Sequence, residues 1–83
     1  MIHFRDDDAG YLAWLAAHPG GYVLNTYRPP SPRYLMLHRT SCWTISNLQA
    51  NAKRWTSGQY SKQCADDLVE LDDWATQTVG GTL

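Results

Sequence analysis

GYVLNTYRPPSPRYLMLHRT, residues 21–40, reads as two extended runs joined by a proline-rich connection. Tyr22 to Arg28 is rich in strand formers. Pro29, Pro30 and Pro32 cannot donate to a sheet ladder, so residues 28–33 are a loop and not a central strand. Arg33 to Arg39 is the second run. Alternation puts Tyr22, Leu24 and Thr26 on one face of the first strand and Val23, Asn25 and Tyr27 on the other. Both faces are partly apolar, which predicts a central strand covered on each side. In the second, Leu35 and Leu37 point one way, and Tyr34, Met36 and His38 the other.

Outward from this hairpin, Ile2 to Arg5 alternates apolar with polar and predicts an edge strand. Asp6, Asp7 and Asp8 precede a stripe of Tyr11, Leu12, Trp14, Leu15 and His18, so the triplet starts a helix over Ala9–Ala17. His18-Pro19-Gly20-Gly21 stops it. In the ambiguous stretch from Thr40 to Trp55, Cys42, Ile45, Leu48, Gln49 and Ala52 fit one face of a short helix near 41–50. Thr56-Ser57-Gly58 is a turn, and Gln59 to Ala65 a further strand with Tyr60, Lys62 and Cys64 on one face. Asp66 and Asp67 cap a final helix carrying Leu68, Leu71, Trp74, Ala75 and Thr78, ended by Gly80-Gly81. The expected fold is α+β: a small, mostly antiparallel sheet of three or four strands with two main helices packed on it. Eighty-three residues make one small domain, complete or the N-terminal domain of a larger protein.

The composition, 43% hydrophobic with four Trp and five Tyr, suits a packed core rather than disorder. No apolar run reaches the roughly 18 residues of a membrane span, and the acidic N-terminus lacks a signal peptide's apolar centre; a cytoplasmic setting with no membrane partner is expected. Cys42 and Cys64 are too few for a disulfide framework and read as small buried side chains.

Net charge is −1, but its layout is uneven. All eight acids lie at Asp6, Asp7, Asp8, Asp66, Asp67, Glu70, Asp72 and Asp73. The intervening 57 residues carry six of the seven basic ones: Arg28, Arg33, Arg39, Lys53, Arg54 and Lys62. Tyr27, Tyr34, Trp43, Trp55 and Tyr60 are interleaved with them. Lysine and arginine neutralise phosphates and exposed rings stack on bases. The expected site is therefore a nucleic-acid interface of Arg28, Arg33, Arg39, Lys53, Arg54, Lys62, Trp43 and Trp55, with DNA favoured over RNA. The setting would be a reader domain of a bacterial restriction or defence-type protein. The plainer reading pairs the acidic ends with the basic middle inside the fold. The alternative function is a small protein-interaction or inhibitor module using the acidic final helix.

No catalytic signature, cofactor motif or metal motif is present, which favours a binding module over an enzyme. His38 and Cys42 lie four apart, but Cys64, His3 and His18 do not complete a zinc spacing, and no third group orients a cysteine nucleophile. A His38-dependent hydrolase ranks last, because no acid between residues 9 and 65 assists a metal. The block GYVLN…SPRYLMLHRTSC…YSKQC resembles a pattern in uncharacterised bacterial proteins, a resemblance that implies no activity. The hairpin invites comparison with the GIY-YIG nucleases. Gly21-Tyr22-Val23 and Pro32-Arg33-Tyr34 depart from that motif, and no Arg and Glu pair follows on a helix.

Overall fold

The computed structural model describes residues 1–41 and 55–83. Four short strands, Ile2–Phe4 (β1), Tyr22–Tyr27 (β2), Leu35–Arg39 (β3) and Tyr60–Ala65 (β4), form a sheet in the order β1-β4-β2-β3. Every neighbouring pair is antiparallel. The hairpin register runs from Tyr22 opposite Arg39 to Thr26 opposite Leu35. On its other side β2 pairs with β4, from Tyr22 opposite Ala65 to Tyr27 opposite Tyr60. The α+β expectation holds, with β1 an edge strand and β2 central. The short helix expected near 41–50 falls almost wholly on residues 42–54, outside those described.

Two helices cover opposite faces. Asp8–Ala17 (α1) packs Tyr11, Trp14 and Leu15 against Phe4, Val23, Trp55 and Cys64. Leu68–Trp74 (α2) places Leu71 against Leu24 and Ala65, with Leu35 and Leu37 of β3 beside them. Val23 and Leu24 are adjacent in β2, so their clusters lie on opposite sides of the sheet. Each central strand is therefore buried on both faces, and Val23, Leu24 and Cys64 are fully covered.

The helix starts obey the capping rules. The Asp7 carboxylate accepts from Gly10 N at 2.9 Å, and the Asp67 carboxylate from Val69 N at 2.9 Å. At the end of α1, His18 stacks on Trp14, centroids 4.3 Å apart, and meets the Asp66 carboxylate at 2.9 Å. Gly21 is required by this packing, since a Cβ there would lie 2.8 Å from the Trp14 ring. Beyond α2, Ala75–Val79 form a wider π-type turn closed by Gly80 N donating to Ala75 O at 2.8 Å. Gly80 ends it at φ 85°, the left-handed region that favours glycine. Leu68 and Thr78, expected on the buried stripe, are exposed; Leu71 and Ala75 carry that contact. Among the described residues no helix is long and apolar enough to cross a membrane.

Candidate nucleic-acid interface

The register brings three tyrosines together at the turn end of the sheet. Tyr27 and Tyr60 face each other across β2 and β4. Tyr34 closes the group just before β3. The Tyr27 and Tyr34 rings stack at 4.9 Å and 19°. Tyr60 is tilted against both, at 5.9 and 5.7 Å. Tyr27 and Tyr60 each keep 37% of their surface exposed. Asn25 supports the cluster from below, its Nδ2 donating to the Tyr34 hydroxyl at 3.3 Å. Beside it lies an open hollow of about 380 Å³, lined by Tyr27, Arg28, Pro29, Ser31, Arg33 and Gln59.

The basic residues divide. Arg28 forks onto Asp6, with Nη1 donating to Oδ1 at 3.0 Å and Nη2 to Oδ2. The hydrogen bond from Arg28 holds the Asp6 carboxyl below its ordinary value. Arg33 is exposed, and its guanidinium has no partner among the described residues. Arg39 is exposed at the far end of β3, opposite Tyr22, about 17 Å along the strand from the tyrosines. Lys53, Arg54 and Trp43 lie outside the described residues. Trp55 is 4% exposed in the α1-side core, and its indole N–H has no partner among the described residues.

Lys62 is buried, at 5% exposure. Its Nζ donates to Asn25 Oδ1 at 2.8 Å and to Trp55 O at 2.7 Å, and lies 5.9 Å from the Tyr11 ring centre. Burial pulls its pKa down to about 8, against the opposing pull of Asp8. Asp8 ties the returning chain to α1: its Oδ1 accepts from Trp55 N at 3.2 Å, Thr56 N at 2.8 Å and Thr56 Oγ1 at 2.6 Å. Burial raises the Asp8 pKa, but these bonds and the Lys62 charge outweigh it and hold the carboxyl below its ordinary value. Part of the sequence's charge segregation is thus internal pairing, of Asp6 with Arg28.

Burial pushes the Cys64 thiol up to about 12, so it stays protonated and is a poor nucleophile. Burial, with the Lys62 charge second, lowers the pKa of His38. Among the described residues no three His, Cys, Asp or Glu side chains are grouped to hold a metal ion.

Lys62 and Cys64 give opposite pH dependences. Between about 8 and its ordinary 10.5, Lys62 is protonated in the unfolded chain but not in the fold, so stability rises with pH. Between 9.0 and about 12, the folded chain keeps the Cys64 proton that the unfolded chain loses, so stability falls with pH. Urea unfolding is expected to show a gain of about 1 kcal/mol from pH 7.5 to 9. The profile should level where the two windows overlap and decline above that. Lys62→Met should abolish the gain and Cys64→Ala the decline; a flat wild-type profile would contradict both burials.

Sequence reasoning named the tyrosines as neighbours of the basic residues but did not bring them together as a cluster. The available signal was parity: Tyr27 shares a face with Val23, Tyr34 with Met36, and Tyr60 with Lys62. Compared with protein-family models, with curated proteins and with solved structures, the chain matches none.

Proposed function

We propose that the chain is a nucleic-acid-binding module that takes DNA, in the reader role its sequence suggests, at the turn end of the sheet. The supporting observation is the tyrosine cluster, with two partly exposed rings, beside a hollow bordered by Arg28 and Arg33. Rings on a sheet surface stack unpaired bases without regard to sequence. Arg33, whose guanidinium has no partner among the described residues, is offered to a phosphate, and Arg28, held by Asp6, lines the hollow at a fixed position. This reading favours a single strand or a locally opened duplex, since paired bases do not present their faces. Of the basic residues in the sequence, it uses Arg28 and Arg33; Lys62 and Trp55 support the surface from within.

Fluorescence-anisotropy titrations with labelled single- and double-stranded DNA and RNA, at two salt concentrations, test it. Binding of single-stranded DNA that weakens steeply with salt is expected. Absence of binding to any of the four at low salt refutes the reading.

A second reading has its own observation. On α2, Val69 is 60% and Leu68 38% exposed, and with Leu37, Asp72 and Leu83 they line a hollow of about 300 Å³. An apolar floor rimmed by Asp72, with the exposed Asp73 next in the helix, suits a basic, amphipathic protein segment. Under this reading Asp72→Asn/Asp73→Asn lowers partner affinity about tenfold at unchanged thermal stability, the pairs being exposed rim charges. Unchanged affinity in a pull-down with the double variant would exclude it.

A further inference from the structure

On the α2 side of the sheet, a separate hollow of about 200 Å³ is lined by His3, Phe4, Arg5, Pro30, Ser61, Gln63 and Trp74. Ser61 and Gln63 of its lining belong to a buried polar network that continues beneath it to Thr26. Gln63 Nε2 donates to Thr26 Oγ1 at 2.7 Å and to Ser61 Oγ at 3.2 Å. The two hydroxyls lie 3.1 Å apart. Gln63 Oε1 is thereby turned toward His3 and accepts from Nδ1 at 2.7 Å. Thr26, Ser61 and Gln63 are 0%, 6% and 2% exposed.

The donors and acceptors do not balance. Two hydroxyls bring two protons, and both oxygens already accept from the Gln63 amide. The bond between them uses one proton. The second has no acceptor among the described residues. His3 commits Nδ1 to Gln63, and its Nε2 has no hydrogen-bond partner among the described residues. A buried donor without a partner costs free energy that a bound acceptor would recover. The walls are flat or apolar, with Trp74 5.7 Å from the His3 ring and Phe4 and Pro30 alongside. Arg5 lines the hollow, is exposed, and makes no hydrogen bond or ion pair among the described residues.

We infer that this hollow is a binding site for a single nucleobase with its phosphate: the ring beside Trp74, an acceptor on the Ser61 hydroxyl with Thr26 taking the donor role toward Ser61, the phosphate on Arg5. The choice of a nucleobase over another flat acceptor rests on the nucleic-acid reading above. The base has two sources, a free nucleotide or a base extruded from a bound strand. Pro29 borders the tyrosine hollow and Pro30 this one, so the two sites adjoin across the loop.

The test is a titration of the 15N-labelled full chain with each deoxynucleoside 5′-monophosphate, then with a single strand carrying 2-aminopurine. The Gln63 side-chain amide and Trp74 indole signals report the hollow; the anisotropy of the strand reports the tyrosine surface. Saturable shifts of both signals by at least one nucleotide are expected, with about fivefold weaker binding in Arg5→Ala, whose side chain is exposed. Shifts from the strand, with a rise in 2-aminopurine fluorescence, identify the source as an extruded base; shifts from nucleotides alone identify a free one. Strand binding with both signals unmoved by every nucleotide and by the strand overturns this inference and leaves the tyrosine surface standing. Shifts from nucleotides without any strand binding sustain the hollow and overturn the tyrosine surface.

Discussion

Tyr27→Ala/Tyr60→Ala is expected to weaken single-stranded DNA binding about 100-fold. Stacking of one base on an aromatic ring contributes about 1–3 kcal/mol, and the two rings are the exposed members of the cluster. Losing both also removes the stacked contact from Tyr27 and the tilted one from Tyr60 that orient Tyr34. Phenylalanine at both positions keeps the ring faces and should keep most of the affinity. Both rings are also packed against Tyr34, so thermal unfolding of each variant is measured alongside binding, and the phenylalanine pair separates lost stacking from lost fold. Arg33→Ala should act differently, lowering affinity a few fold and reducing the salt slope by about one. If the double alanine variant binds as the wild type does, the tyrosine cluster is not the interface.

Asp8→Ala is expected to destabilise the fold by about 3 kcal/mol. One carboxylate oxygen accepts three hydrogen bonds from Trp55 and Thr56, and Thr56 is fully buried. The nearby buried Lys62 loses an attractive charge as well. Asp8→Asn keeps an acceptor but not the charge and should fall between. The sign of the pH dependence follows from the carboxyl's lowered pKa. The stabilisation is present above the ordinary value of 3.8 and is lost as pH falls through the lower folded value. Urea unfolding at pH 7 and at pH 3 measures it. The gap between wild type and Asp8→Ala should narrow at the lower pH; equal stability of the two at pH 7 would exclude the role.

Elements set by local pattern were legible in the sequence. Alternation marked the hairpin and assigned every side chain of β2 and β3 to its face. Apolar spacing and the aspartate caps marked both helices. What local pattern does not carry is strand order. Lys62 looked like a surface cation because a lysine in an isolated strand points to water; β4, however, lies between β1 and β2, with α1 over that face. Trp55, beside a lysine and an arginine in sequence, looked like a stacking residue, whereas the hydrogen bonds to Asp8 fold it into the core. The pairing of Arg28 with Asp6 joins residues 22 positions apart, beyond any helical or strand spacing. The tyrosine cluster needed the cross-strand register, which the separate strands do not reveal.

The strand order also imposes a sequence of events in time. The hairpin of β2 and β3 is local and can form as soon as residue 39 is synthesised. β1, made first, has β4 as its sheet partner, and β4 is completed only at Ala65. Until then the N-terminal strand and the β4-facing edge of β2 stand open, and Val23 and Leu24 lack their flanking neighbours. Closure therefore waits for about four-fifths of the chain. The last strand to arrive is the one that joins the first to the middle, a non-local pairing of the kind that slows folding. The interval before closure is when the nascent chain is most open to pairing with another copy of itself.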